Sequence, residues 1–199
     1  YILVMKNFFP YQGGLPSRII PMLLCLFLLT GKSAMADQND PELDTLFKAL
    51  KATTNEGAAV QIQQEIWVRW TAFGSDERIN QKMQVGVKLM NAGALKDAEL
   101  WFGSLAEAAP EFAEAWNKRA TVRFMIGDLS GSKRDIARVL QLEPRHFGAL
   151  SGLGMIHVQQ GNYEGALRAY QAAAQQNPHL EQIDTIIANL KKRLRGEAL

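Results

Sequence analysis

From about residue 41 onward, non-polar side chains return every three or four positions, the spacing of one face of an α-helix. A longer rhythm of 34 residues lies over this one. Gly93, Gly127 and Gly161 mark it, and so do Pro110, Pro144 and Pro178. The small residues Gly86, Ala120 and Gly154 keep the same step, as do Ala98, Ser132 and Ala166. Larger apolar residues follow: Leu95, Leu129 and Tyr163; Phe102, Ile136 and Tyr170; Leu105, Val139 and Ala173. Each column has a physical reason. A glycine allows the tight turn between two helices, where positive φ is needed. A proline ends the second helix, because it has no donor and clashes with the preceding turn. The small columns let the two helices of a unit approach, and the large columns fill the spaces between neighbours. The pattern predicts helix–turn–helix units and an all-α fold.

These columns resemble the tetratricopeptide repeat, whose unit is 34 residues long with preferred residues at internal positions 4, 7, 8, 11, 20, 24, 27 and 32. Copies are read at 79–112, 113–146 and 147–180. The third matches through Leu153, Gly154, Ala166, Tyr170, Ala173 and Pro178, and the first through Gly86, Ala98, Phe102 and Pro110. The second keeps Trp116 and Pro144 but has Arg119 and Arg123 where the family usually has Leu and Tyr. The resemblance covers about 100 residues and implies a right-handed α-solenoid of three repeats. It is specific for fold and says less about function.

Both flanks are patterned as helices. Within 181–199, Ile183, Ile186, Ile187, Leu190 and Leu194 form an apolar stripe, read as a capping helix over the last repeat. Lys191, Lys192, Arg193 and Arg195 crowd its end, where cations suit the helix dipole. Within 37–78, one helix opens at Pro41 and carries Leu43, Leu46, Phe47 and Leu50 on one side. A second carries Ile62, Ile66, Trp67, Trp70 and Phe73. This pair is expected to pack on the first repeat, with Trp67 and Trp70 on a shared face as core, or else as a partner site.

The N-terminal 36 residues change the picture of location. Lys6 and Arg18 precede the apolar run Ile19 to Leu29, and Ala34-Met35-Ala36 offers small residues at the positions signal peptidase reads. Residues 1–36 are expected to form a cleavable secretory leader, with 1–4 as upstream read-through and Asp37 as the new N-terminus. The alternative is an uncleaved anchor, although the run is short for a stable span. Cys25, the sole cysteine, follows Leu24 rather than a small residue, so no lipid anchor is expected. The mature chain would be cysteine-free, exported and periplasmic. The net charge of +2 resides in the leader: Lys6, Arg18 and Lys32 are three of the 22 basic residues, so 19 remain from Asp37 on against 20 acidic ones. That near-neutral body argues against nucleic-acid binding.

Candidate chemistry is sparse. His146, His157 and His179 have no second ligand at helical spacing, and no HExxH, nucleophile elbow or phosphate loop occurs. No metal, cofactor or catalytic residue is expected. His157 stands in a column where the family usually has Tyr, and Glu107, Glu111 and Glu114 are expected to be solvated. Arg119 and Arg123 fall at columns that the resemblance places inside, and a buried arginine must be paired. Asp135 is the expected partner of Arg119; the alternative is an arginine kept for a ligand carboxylate.

The resemblance implies a concave groove that holds an extended peptide, lined from internal positions 2, 5, 6, 9, 12 and 13. Its lining would be Met83, Val87 and Met90; Asn117, Thr121, Phe124 and Met125; and Ser151, Met155 and Val158. The subclass that grips a C-terminal carboxylate needs Lys, Asn and Arg where this chain has Met83, Val87, Gly148 and Gly152, with Lys118 in place of a further Asn. That clamp is absent. A mostly apolar, Met-containing groove suits a protein segment with two or three hydrophobic anchors. The expected function is a non-catalytic protein-interaction module. The alternative is a self-associating protein, a homo-oligomer included, whose groove is filled by its own chain.

Overall fold

A computed structural model describes residues 37–197; residues 1–36, on which the expected leader falls, and the last two residues lie outside the described part. Among the described residues there are nine α-helices and no strand. They are α1 Glu42–Ala52, α2 Glu56–Thr71, α3 Glu77–Asn91, α4 Leu95–Ala108, α5 Ala113–Met125, α6 Leu129–Leu142, α7 Phe147–Gln159, α8 Tyr163–Gln176 and α9 Ile183–Leu194. Helices α3 to α8 form three consecutive pairs that stack as a solenoid, and α9 packs on α8.

The turn inside each pair is built on a glycine at the same place. Gly93, Gly127 and Gly161 have φ of 77°, 88° and 71°, a region costly for any residue with a Cβ. Asp128 and Asn162 then cap the second helix of repeats 2 and 3, accepting from the Gly131 and Gly165 amides. Within the pairs, Gly86 lies under the Phe102 ring and Gly154 under Tyr170, which is why that column is small. One apolar cluster runs through repeat 1 into repeat 2 (Met83, Phe102, Phe112, Val122), and a second joins repeats 2 and 3 (Ala120, Ile136, Val139, Ile156).

The N-terminal pair departs from expectation. It does not stack on the first repeat. Leu43, Phe47, Leu50, Ile66, Trp67 and Trp70 share one cluster with Phe147, Leu150, Met155, Tyr170 and Ile183, on the third repeat and the cap. Two columns explain why. Ala115 and Ala149, and likewise Val122 and Ile156, are buried in repeats 2 and 3, where one repeat meets the one before it. The same columns of repeat 1 hold Gln81 and Lys88, and both are exposed. Repeat 1 thus presents a polar leading face that nothing can stack on without burying an amide and a charge.

The hairpin instead lies across the other repeats, with α1 tied to three successive junctions. Gln38, just before α1, donates to the Glu111 carbonyl (2.5 Å) and accepts from the Ala113 amide (3.3 Å). That gives the N-terminal end of α5, which its own N-cap residue leaves without a side-chain cap, a partner from a distant part of the chain. Asp44 accepts from Arg145 (2.5 Å) at the junction of repeats 2 and 3. Beyond repeat 3, His179 meets the Leu50 carbonyl (3.1 Å) and Lys51 donates to Gln176 (3.0 Å). From Asp44 to Leu50 a helix rises about 9 Å, close to the packing distance between neighbouring helices. One straight helix can therefore touch successive junctions.

Candidate functional site

The first helices of the pairs, α3, α5 and α7, line the concave side. Over repeats 2 and 3 that side is covered by α2. Trp67 reaches position 2 of the third repeat, Gly148, where a Cβ would stand 2.9 Å from the indole. Its ring also lies 5.7 Å from the Lys118 ammonium, within cation–π range. Trp70, three residues on, stacks on the His146 imidazole with centroids 4.1 Å apart and planes at 9°. Phe147 meets both indoles, and Phe47 from α1 closes the cluster under the Arg145 guanidinium.

Beneath the indoles lies a buried polar network. Glu114, expected in solvent, is fully buried. It is paired with Lys118 (2.9 Å) and accepts from Asn117 (2.9 Å). The Ala149 amide donates to Nδ1 of His146, so the imidazole proton resides on Nε2, which donates to Glu114 (3.0 Å). Burial pushes the Glu114 carboxyl up, but the Lys118 ammonium and the His146 hydrogen bond outweigh it and hold it below the ordinary glutamate value. Sequence reasoning missed this network. Its one visible trace is Gly148, a residue without a side chain at a groove-lining position, which leaves room for an indole.

The residues assigned to an open groove therefore divide in two. Asn117, Thr121, Ser151 and Met155 are buried, and Met83 belongs to the core of repeat 1. Val87, Met90, Phe124 and Val158 are half-buried, and Met125 is 43% exposed. A void of only about 10 Å³ remains between Asn117, Thr121, Phe124, Ile136 and Met155, room for about one water.

Arg119 and Arg123 lie away from the groove, in the seam between repeats 1 and 2. Arg119 donates to both oxygens of Asp135 (2.9 and 2.7 Å) and stacks on Trp116. Arg123 bridges Glu99 of α4 (2.8 Å) and Asp135 (2.9 Å). Each guanidinium is spent on a carboxylate of the chain itself, so neither is free for a ligand. His157 is half-buried beside Asn162. Its pKa is lowered by burial first and then by Lys133 and Arg168. Among the described residues, no group of three or more His, Cys, Asp or Glu could hold a metal ion, and no helix is long and apolar enough to cross a membrane.

Stacked helix pairs with a hollow that already grips one amphipathic helix define a helical-repeat scaffold. The tetratricopeptide repeat family model matches residues 147–180, the third pair. A TPR repeat-containing protein of Rhizobium etli is 38% identical over 129 residues, 65% of this chain and 63% of its own length; the chain thus spans a little under two thirds of that relative. Two solved structures are similar in fold. The first TPR of Spaghetti (RPAP3), bound to an HSP90 peptide, superposes with a TM-score of 0.57 at 16% identity, covering 61% of this chain and 96% of its own. MamA superposes with a TM-score of 0.56 at 16% identity, covering 75% and 84%. The chain thus carries a tetratricopeptide repeat at residues 147–180, within an all-α solenoid of helix pairs.

Proposed function

We propose that this protein is a non-catalytic interaction module that holds a partner protein along the part of its concave side that α2 leaves uncovered. One observation carries the reading. Met90, Phe124 and Val158 occupy one column of three successive repeats and stay half-buried, flanked by Met125 and by Ile126 at 39% exposure. A strip of flexible and aromatic apolar side chains running across three repeats suits a segment with two or three hydrophobic anchors. Burying three such anchors contributes about 5–9 kcal/mol before the costs of association, so the affinity is roughly micromolar or weaker. The peptide held by the Spaghetti repeat domain supports the reading by analogy of fold alone.

The setting we propose is the periplasm, on the strength of Lys6, Arg18, the Ile19–Leu29 run and Ala34-Met35-Ala36. Fractionation of cells and N-terminal sequencing test it: a mature N-terminus at Asp37 in the periplasmic fraction is the expected result, and a full-length chain in the cytosol refutes it. The module itself is tested by capture from an envelope extract with residues 37–199, repeated with Met90→Asp and Phe124→Asp. Both variants are expected to abolish capture with helical content intact; unchanged capture refutes the site. A second reading, a structural protein that associates with its own kind, draws on the groove already being filled by the chain. A mass that rises with concentration in light scattering favours it.

A further inference from the structure

The hairpin is the groove's occupant in this structure, and its seat is imperfect. The indole nitrogens of Trp67 and Trp70 and the Ser151 hydroxyl are buried with no hydrogen-bond partner among the protein atoms. An unmet buried donor gives back part of what ring burial gains. The hairpin is also joined to the solenoid through a short link, residues 72–76, and its apolar anchors sit on repeats other than the one it leads into. It can leave its seat without dismantling the repeat 1 and repeat 2 cores, which contain none of its buried residues.

We propose that α1–α2 is an exchangeable cover, and that the groove under it is a docking site for a partner's amphipathic helix with two large aromatic residues three positions apart. This rests on the interaction reading above and adds a second, chemically defined subsite. The present occupant defines the fit. The first ring lies over Gly148, a groove position with no Cβ to obstruct it, and beside the Lys118 ammonium. The second ring lies flat on His146, whose imidazole is held in place by Glu114 and the Ala149 amide. Residues at i and i+3 share a face in an α-helix; in a β-extended segment they point to opposite sides. The covered groove therefore selects a helix, as α2 is, rather than a β-extended peptide.

The test uses a fluorescein-labelled, 16-residue Ala/Gln/Lys helix carrying Ile-Trp-x-x-Trp, and a second peptide with its two Trp residues two apart. Fluorescence anisotropy is measured against residues 37–199, against Trp67→Ala/Trp70→Ala, and against that double variant with Gly148→Leu added. The first peptide is expected to bind the double variant at least tenfold more tightly than wild type. Moving the Trp pair or adding Gly148→Leu is expected to remove that gain. Should the double variant not fold, hydrogen exchange of wild type with excess peptide replaces it: α1 and α2 amides should exchange faster while α4 and α6 stay protected. Equal binding to wild type and variant, tolerance of the shifted spacing, or an undisturbed hairpin overturns the proposal. A doubled mass with hairpins exchanged between copies also overturns it, by naming a second copy as the occupant. Capture that depends on Met90 and Phe124 while this peptide fails removes this inference and leaves the interaction reading standing.

Discussion

Trp70→Ala probes the hairpin at its most enclosed point. Trp70 is 1% exposed and touches four rings: His146 at 4.1 Å, Phe147 at 5.0 Å, Trp67 at 5.3 Å and Phe47 at 5.8 Å between centroids. Truncating a buried aromatic to Ala costs about 3–5 kcal/mol. The same change removes an unsatisfied buried N–H, which returns about 1 kcal/mol. The net loss expected is about 2–4 kcal/mol, and since about 1.4 kcal/mol is a factor of ten, hairpin opening rises roughly thirty- to several-hundred-fold. The loss should be local, because α4 and α6 draw their cores from other residues. Hydrogen exchange read by mass spectrometry resolves it. Amides of α1 and α2 are expected to lose protection by that factor while α4 and α6 change little. Equal loss in all four helices would show one cooperative unit, and unchanged protection in α1 and α2 would show that Trp70 does not hold the hairpin; either result overturns local opening.

Three further outcomes follow from the same geometry. The depressed pKa of Glu114 means that its contribution to stability is complete above the ordinary glutamate value of about 4.3 and is lost as pH falls below it through the folded-state pKa; Glu114→Gln should flatten the decline of the urea midpoint between pH 5 and pH 3, and a parallel decline contradicts this. Asp135→Ala strips a shared partner from Arg119 and Arg123 and should cost about 3–5 kcal/mol in urea unfolding, whereas Arg119→Ala leaves Asp135 paired with Arg123 and should cost less. Gln81→Leu with Lys88→Leu makes the leading face of repeat 1 apolar like its buried counterparts and should produce concentration-dependent association by light scattering; a monomer at all concentrations argues against an open leading face.

The repeats are legible in the sequence because their geometry is local. A turn that needs positive φ, a proline that stops a helix and a glycine beneath Phe102 or Tyr170 each leave a mark at a fixed interval. The capping helix is legible for a similar reason, since its stripe must cover the face that repeat 3 leaves open. The hairpin's position is not local. Its helices can be read from their own apolar faces, but where they dock depends on which surfaces elsewhere accept them. The decisive residues were Gln81 and Lys88, which close one surface, and Gly148, which opens another. Glu114 misled for a related reason: a carboxylate near a repeat junction reads as solvated until Lys118, Asn117 and His146 are found to share its enclosure beneath two indoles.

The N-terminal hairpin sits in the concave groove over repeats 2 and 3. The most direct test of that placement is a proton NOESY spectrum of residues 37–199 with the Gly148 α-protons assigned. Cross-peaks from those protons to the Trp67 indole are expected, together with an upfield ring-current shift that vanishes in Trp67→Ala. Gly148 α-protons at ordinary shifts, with no contact to any tryptophan, would contradict the placement.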